Sequence, residues 1–287
     1  EIEKALDTFG APYVVKNDGL AAGKGVVVTD NRAEALAHAL TCTTVVIEEY
    51  LKGPEISLFG ISDGTYVLPM QPAKDFKRAY DGDKGLNTGG MGAYSPLPWA
   101  PEDIEEEVLK KVLQPTVDAM AKRGTPFVGL LYAGLAMTSK GMRVIEFNAR
   151  FGDPETEVLI PRLKTPLGQL LYAAATKKLN QYKSLDWSDD CAVTVVLASE
   201  GYPSDPKINL PITGLNPIAD TFIFHAGTKL VDGVLTSSGG RVLTVTGMGT
   251  TLTEARNNAY QVISGITLAG SHYRSDIALT ASQLGKS

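Results

Sequence analysis

The chain has 287 residues, 44% of them hydrophobic, with 29 glycines, 16 prolines and a formal net charge of −5. That length and apolar content support two compact domains, and the acidic balance leaves no basic footprint for nucleic acid. Cys42 and Cys191 are too few for a disulfide framework, no apolar run reaches membrane-spanning length and no signal peptide is visible, so a soluble, cytoplasmic protein without membrane partners is expected.

In chain order, Glu1 to Leu6 already reads as helix with no initiating Met, as though the chain began inside a longer protein. Pro12–Lys16 and Val26–Val28 read as strands around a glycine-rich loop, Gly19 to Gly25. Asp30 or Asn31 then caps a helix through Leu40. Val45 to Leu51 is a strand, and Ile56–Ile61 with Tyr66–Met70 form a hairpin across Asp63-Gly64. Residues 71–98 show no clear periodicity; so long a loop inside a compact domain tends to be functional. Pro101 to Arg123 reads as a helix with acids early and bases late, complementing its dipole. A second hairpin joins Leu130–Met137 to Met142–Asn148, and Leu167–Lys178 is helical. Beyond a compositional change near Leu185–Ser188 come strands at 192–198, 222–224 and 242–246 and a helix over 253–263.

The richest motif is Val144 to Glu155. Strand alternation puts Glu146 and Asn148 on one face, where two hard oxygen donors suit Mg²⁺ (or Mn²⁺), and Arg150 adds a fork for carboxylate or phosphate. The plain alternative is a strand with a polar outer face before a Gly-Asp-Pro turn. Lys16 to Gly25 joins two strands through two lysines and three glycines, so backbone N–H groups and lysine ends can meet phosphates; a tight hairpin would look similar. Glu48-Glu49-Tyr50-Leu51, with Glu55 downstream, can frame an adenine edge and a ribose, or be an ordinary strand end. Asp75-Phe76-Lys77-Arg78 gathers charge ahead of Asn87-Thr88-Gly89-Gly90-Met91-Gly92, a second glycine-rich turn able to offer N–H groups to an anion. His38, His225 and His272 are scattered, which implies neither a zinc site nor a Ser-His-Asp triad.

Lys16–Val28, Val46–Ser57, Asn87–Pro96, Tyr132–Leu135 and Val144–Glu155 resemble the glycinamide ribonucleotide synthetases (phosphoribosylamine–glycine ligases) of the ATP-grasp superfamily. Phe224–Leu230 and Gly239–Leu243 are similar to that family's C-terminal domain. The resemblance implies an α+β fold: an ATP-grasp core of two lobes, 1–51 (lid) and 52–188 (large), with a C-terminal α+β domain at 189–287 and the family's N-terminal domain absent. It implies ATP-dependent joining of glycine to phosphoribosylamine through a glycyl phosphate, in purine biosynthesis. Its partners would be these small molecules, with fusion to other purine-pathway enzymes conceivable in the parent protein. By the same resemblance Lys16 and Lys24 contact ATP phosphates; Glu48, Glu49, Tyr50 and Leu51 frame adenine; Glu55 meets the ribose; and Glu146 and Asn148 hold the metal. Arg150, Asp75 and Lys77 would be catalytic, while Arg78, Asn87, Thr88, Gly89, Gly90, Gly92 and Asp153 line the substrate side. Departures from the family pattern are the short Thr41–Thr44 connection, Phe76 where the family has His, and no second acid in Leu135-Ala136-Met137. The rival readings are another ATP-grasp carboxylate–amine ligase and an ATP-binding fragment that does not turn over.

Overall fold

The structure, a computed structural model, describes residues 1–19 and 25–284. Helices α1 (Ile2–Phe9) and α2 (Arg32–Thr41) pack on an antiparallel sheet of β1 (Tyr13–Asn17), β2 (Val26–Thr29) and β3 (Val45–Glu48), with β1 central. Asn31 is the cap of α2: its Oδ1 accepts from the N–H groups of Ala33 (2.9 Å) and Glu34 (3.3 Å). Leu6, Val15, Ala35 and Ala39 form the buried core of this lobe. The short connection after α2 is tied down, because the Thr44 carbonyl accepts from the Asp18 N–H at 2.9 Å.

β4 (Glu55–Asp63) and β5 (Val67–Pro69) form the expected hairpin. The stretch 71–98 holds four short strands: β6 (Lys74–Asp75), β7 (Arg78–Tyr80), β8 (Lys84–Asn87) and β9 (Gly92–Ser95). Runs of two to four residues are too short for a period of two to register. The helix expected over 101–123 is α3 (Ile104–Val108) and α4 (Gln114–Lys122), joined by a π-helical turn at Leu109–Leu113. Pro115 has no N–H to donate and its ring crowds the preceding turn; the wider winding just before it relieves both. β10 (Val128–Thr138) and β11 (Gly141–Asn148) complete an antiparallel sheet in the order β11-β10-β4-β5.

The pairing of β11 with β10 skips a residue. Gly134 lies opposite Glu146, but Leu135 lies opposite Val144, so Ile145 is an extra, bulged residue. The even alternation expected from Val144 to Asn148 is therefore broken. Val144 joins Phe147 in a cleft against Lys111, Pro115 and Met120 of the long helix. Glu146 and Asn148 remain on the opposite face, which the pairing shares with Tyr132, Ser57 and Glu55.

α5 (Thr156–Leu159) and α6 (Leu167–Ala175) cover part of that face, where Val158, Leu159 and Leu170 pack with Phe59, Ile61 and Tyr132. Next come β12 (Cys191–Ala198), β13 (Thr221–His225), a projecting hairpin of β14 (Thr228–Val231) and β15 (Val234–Ser237), β16 (Arg241–Gly249), α7 (Leu252–Ile263) and α8 (Leu279–Gln283). The second large sheet has the order β13-β16-β12-β9-β6. It recruits β9 from well upstream: Val193 of β12 sits opposite Tyr94. α7 lies close on β16 because a Cβ at Gly247 would stand 2.3 Å from the Ala255 carbonyl oxygen. A pairing between segments a hundred residues apart thus plants the 74–95 region against the C-terminal part of the chain.

Candidate active site

Lys16, on β1, forms an ion pair with Glu48 of β3, and its Nζ also donates to the Ile145 carbonyl at 3.3 Å. That carbonyl belongs to the bulged residue beside Glu146. The bulge therefore brings the small lobe's lysine to the strand that carries Glu146 and Asn148. The Asn148 amide reaches Glu146 Oε1 at 3.5 Å, and Glu146 is exposed. Arg150 is exposed too, with its guanidinium donating to its neighbour's carbonyl, Phe151 O, at 2.9 Å. Glu49 lies 3.9 Å from Lys140; Tyr50 is exposed and Leu51 half-buried just past β3. Lys24 lies outside the described residues.

A second charged group sits on the same face. Lys77 Nζ is 2.6 Å from Glu55 Oε2, which joins a residue expected at the ribose to one expected at the acceptor. Burial works against the Lys77 charge, but Asp75 and Glu55, with Glu146 behind them, outweigh it and hold the ammonium well above its ordinary value. For Asp75 burial dominates: against the pull of Lys77 it is pushed up to about 7, helped by the nearby Glu155 and Glu55 charges. Beneath lies a buried chain of hydroxyls. Ser57 Oγ donates to Glu155 Oε1 at 2.9 Å, so its single proton is used and Tyr132 OH, 2.8 Å away, must donate to it.

The glycine-rich turn behaves differently from the expected anion cradle. The Thr88 N–H donates to the Lys77 carbonyl (2.7 Å), Gly89 N–H to Tyr202 OH (3.0 Å), Gly90 N–H to Thr88 Oγ1 (3.0 Å) and Met91 N–H to the Phe76 carbonyl (2.8 Å). These donors are spent inside the protein. The glycines serve close packing instead: a Cβ on Gly90 would lie 2.4 Å from Pro154 Cδ, and one on Gly92 2.7 Å from the Thr194 carbonyl oxygen. Arg78 donates to the Gly85 carbonyl at 2.8 Å, and Asn87 is exposed at the end of β8.

Several organising residues were not singled out by the sequence. Ser57 and Tyr132 read as ordinary strand positions, and Glu155 as part of a turn. Arg241 ion-pairs with Asp153 at 3.0 Å and donates to the Asp153 and Gly89 carbonyls at 2.8 and 2.9 Å. Arg274, 1% exposed, pairs with Asp276 and Asp83 and lies 4.9 Å over the Phe76 ring. The motif Gly239-Gly240-Arg241 was the one available signal for this long-range contact.

The donor chemistry at β11 fits a divalent cation bound partly by ligand oxygens. Glu146 and Asn148 supply hard oxygens, and among the described residues no cluster of three or more His, Cys, Asp or Glu forms a self-sufficient metal cage. Residues 1–156 match the family described as phosphoribosylglycinamide synthetase, ATP-grasp (A) domain, and residues 192–280 match its C domain. The chain belongs to the phosphoribosylglycinamide synthetase family. The phosphoribosylamine–glycine ligase of Streptomyces coelicolor is 60% identical over 286 residues, covering 98% of this chain and 69% of that protein. The ligase of Leifsonia xyli is 56% identical over 289 residues, with the same coverage of 98% and 69%. Among solved structures, phosphoribosylamine–glycine ligase from Thermotoga maritima superposes with a TM-score of 0.87 at 34% identity, over 96% of this chain and 71% of that one. The biotin carboxylase domain of Hydrogenobacter thermophilus 2-oxoglutarate carboxylase, solved with MgADP, shares the fold at TM-score 0.69 and 13% identity, over 94% of this chain and 60% of that one. Among the described residues no helix is long and apolar enough to cross a membrane.

Proposed function

We propose that this chain forms the ATP-binding and ligating part of a phosphoribosylamine–glycine ligase, an ATP-dependent carboxylate–amine ligase of purine biosynthesis. The observation that carries the reading is the meeting of Lys16 with the bulged strand beside Glu146 and Asn148, because it sets a phosphate-seeking cation next to two metal-seeking oxygens. In this reading residues 1–51 are the lid lobe, 52–188 the larger lobe and 189–287 the C-terminal domain.

A glycine carboxylate oxygen attacks the γ-phosphorus of ATP, ADP leaves, and glycyl phosphate forms. The amine nitrogen of phosphoribosylamine then attacks the acyl carbon, phosphate leaves with the C–O bond pair, and the nitrogen gives up a proton. Such a sequence depends on alignment and on neutralising spread-out charge rather than on a covalent nucleophile. Lys16 and Lys24 hold the phosphates, Glu48, Glu49, Tyr50 and Leu51 frame the base, and Glu55 lies at the ribose. Glu146 and Asn148 would hold Mg²⁺, which would supply positive charge to offset that of the phosphates. Among the described residues Arg150 donates to its neighbour's carbonyl alone, which leaves donors for the transferring phosphoryl or the glycine carboxylate. Lys77 keeps its charge beside the acceptor, and Asp75, which titrates near neutrality, is suited to take the proton from the attacking amine. Because the amides of the 88–91 turn are engaged, acceptor contacts come from the side chains of Lys77, Arg78 and Asn87, with Asp153 at the margin.

Release of ADP measured with each substrate omitted in turn tests this. The expected result is dependence on both glycine and phosphoribosylamine; release indifferent to glycine overturns the substrate assignment.

A further inference from the structure

Building on the ligase reading, we infer that Arg241 and Tyr202, both from the C-terminal part of the chain, are positioning residues for the acceptor substrate, acting through the Thr88–Gly90 turn. Neither side chain belongs to the charged group around Lys77. Both hold the backbone that shapes it.

Arg241 Nη1 lies within reach of four acceptors: the Gly89 carbonyl at 2.9 Å, the Gly90 carbonyl at 3.5 Å, the Asp153 carbonyl at 2.8 Å and Asp153 Oδ1 at 3.0 Å. It thereby ties the turn to the segment that leads into buried Glu155. The fit is tight, since a Cβ on Gly89 would lie 2.8 Å from the guanidinium carbon. Among the described residues Tyr202 is the partner of the Gly89 N–H, 3.0 Å away, and is itself seated on Gly240, where a Cβ would come within 2.2 Å of its ring. Gly240 thus lets the tyrosine close on the turn beside the arginine.

From the turn the connection runs directly to the charged group. Thr88 donates twice to the Lys77 carbonyl, from its N–H at 2.7 Å and its Oγ1 at 2.8 Å, and Lys77 carries the ion pair with Glu55. Displacing Gly89 therefore moves the backbone of Lys77, whereas the Lys16–Glu146 region on β1 and β11 has no bond to the turn among those described. A defect here should fall first on the acceptor, with a smaller effect on ATP through the Lys77–Glu55 ion pair, and should leave the Lys16–Glu146 end of the ATP site in place. All of these Arg241 contacts come from the one nitrogen Nη1, which sits at the end of a side chain longer than lysine's, so a lysine can replace them only in part.

The test compares Tyr202→Phe, Arg241→Lys and Arg241→Met with the unaltered protein. Calorimetry reads affinity for ATP and for glycinamide ribonucleotide, the stable product, and steady-state assays give KM and kcat for each substrate. Tyr202→Phe, which deletes one hydroxyl, should weaken glycinamide ribonucleotide binding several-fold. Arg241→Met should weaken it by roughly tenfold or more, with Arg241→Lys in between and ATP affinity within about twofold of the original. Should Arg241→Met fail to fold, Tyr202→Phe decides alone. Unchanged product affinity in Tyr202→Phe, or ATP and product weakening in parallel, overturns the positioning role. An unaltered protein that binds ATP but not glycinamide ribonucleotide overturns the ligase reading instead.

Discussion

Gly90 and Gly129 offer a paired perturbation in which one variable separates the two sites. Both take backbone angles that L side chains rarely adopt, φ +118° and +139°. Replacing either with Ala costs about 1–3 kcal/mol for backbone strain alone. They differ in what a methyl group would meet. At Gly129 nothing lies within 4 Å, while at Gly90 the new carbon would stand 2.4 Å from Pro154 Cδ, deep inside van der Waals contact. Forcing a methyl into such packing costs roughly a further 1–3 kcal/mol. Gly90→Ala should therefore lose about 2–6 kcal/mol and Gly129→Ala about 1–3 kcal/mol. In a chain of this size the difference corresponds to several degrees in Tm. Urea unfolding followed by the fluorescence of Trp99 and Trp187 measures both variants on the same footing. Equal losses would show that Pro154 yields freely, and the tight seating of the 88–91 turn would be refuted.

Ser57→Ala removes the donor to the buried Glu155 carboxylate and the acceptor for Tyr132 OH, so stability should fall by on the order of 2 kcal/mol. A loss below about 0.5 kcal/mol in denaturant titration would mean that the network is not closed as described. Glu157 is pushed up to about 7 from an ordinary 4.5, chiefly by burial, and among the described residues its Oε2 has no hydrogen-bond partner. The folded protein then holds this proton to higher pH than the unfolded chain. The stability contribution is complete below about 4.5 and is lost as pH rises through about 7. Glu157→Gln should accordingly flatten the decline of stability across that window, and an unchanged slope would contradict the assignment. Glu146→Gln should leave the melting temperature within a degree or two while weakening Mg²⁺-dependent ATP binding about tenfold or more, since an exposed side chain contributes little to folding and a charged metal donor is lost. Undiminished magnesium-dependent binding would remove Glu146 from the metal site.

Much of the scaffold was legible because it rests on signals that survive in short windows. The hairpins at 55–69 and 128–148 are long, β-branched and punctuated by Asp-Gly or Lys-Gly, and the Asn31 cap precedes a clear helical run. What stayed hidden depends on distant partners. β6 to β9 are two to four residues long, and β9 becomes a strand through its pairing with β12, about a hundred residues later. The bulge at Ile145 leaves no local mark, yet it decides which face Val144 takes and offers Lys16 its carbonyl. The site shows the same division. Glu146, Asn148 and Lys16 could be proposed from donor chemistry and spacing, whereas the contacts of Arg241, Tyr202 and the Ser57–Glu155 pair appear only once the tertiary fold brings them together.

The most direct test of the chemistry is positional isotope exchange in ATP carrying labelled oxygen at the β,γ bridge, with glycine present and phosphoribosylamine withheld. Reversible glycyl phosphate formation predicts bridge-to-nonbridge scrambling that appears only when glycine is added and vanishes in Glu146→Gln. Scrambling that proceeds equally well without glycine would contradict the account.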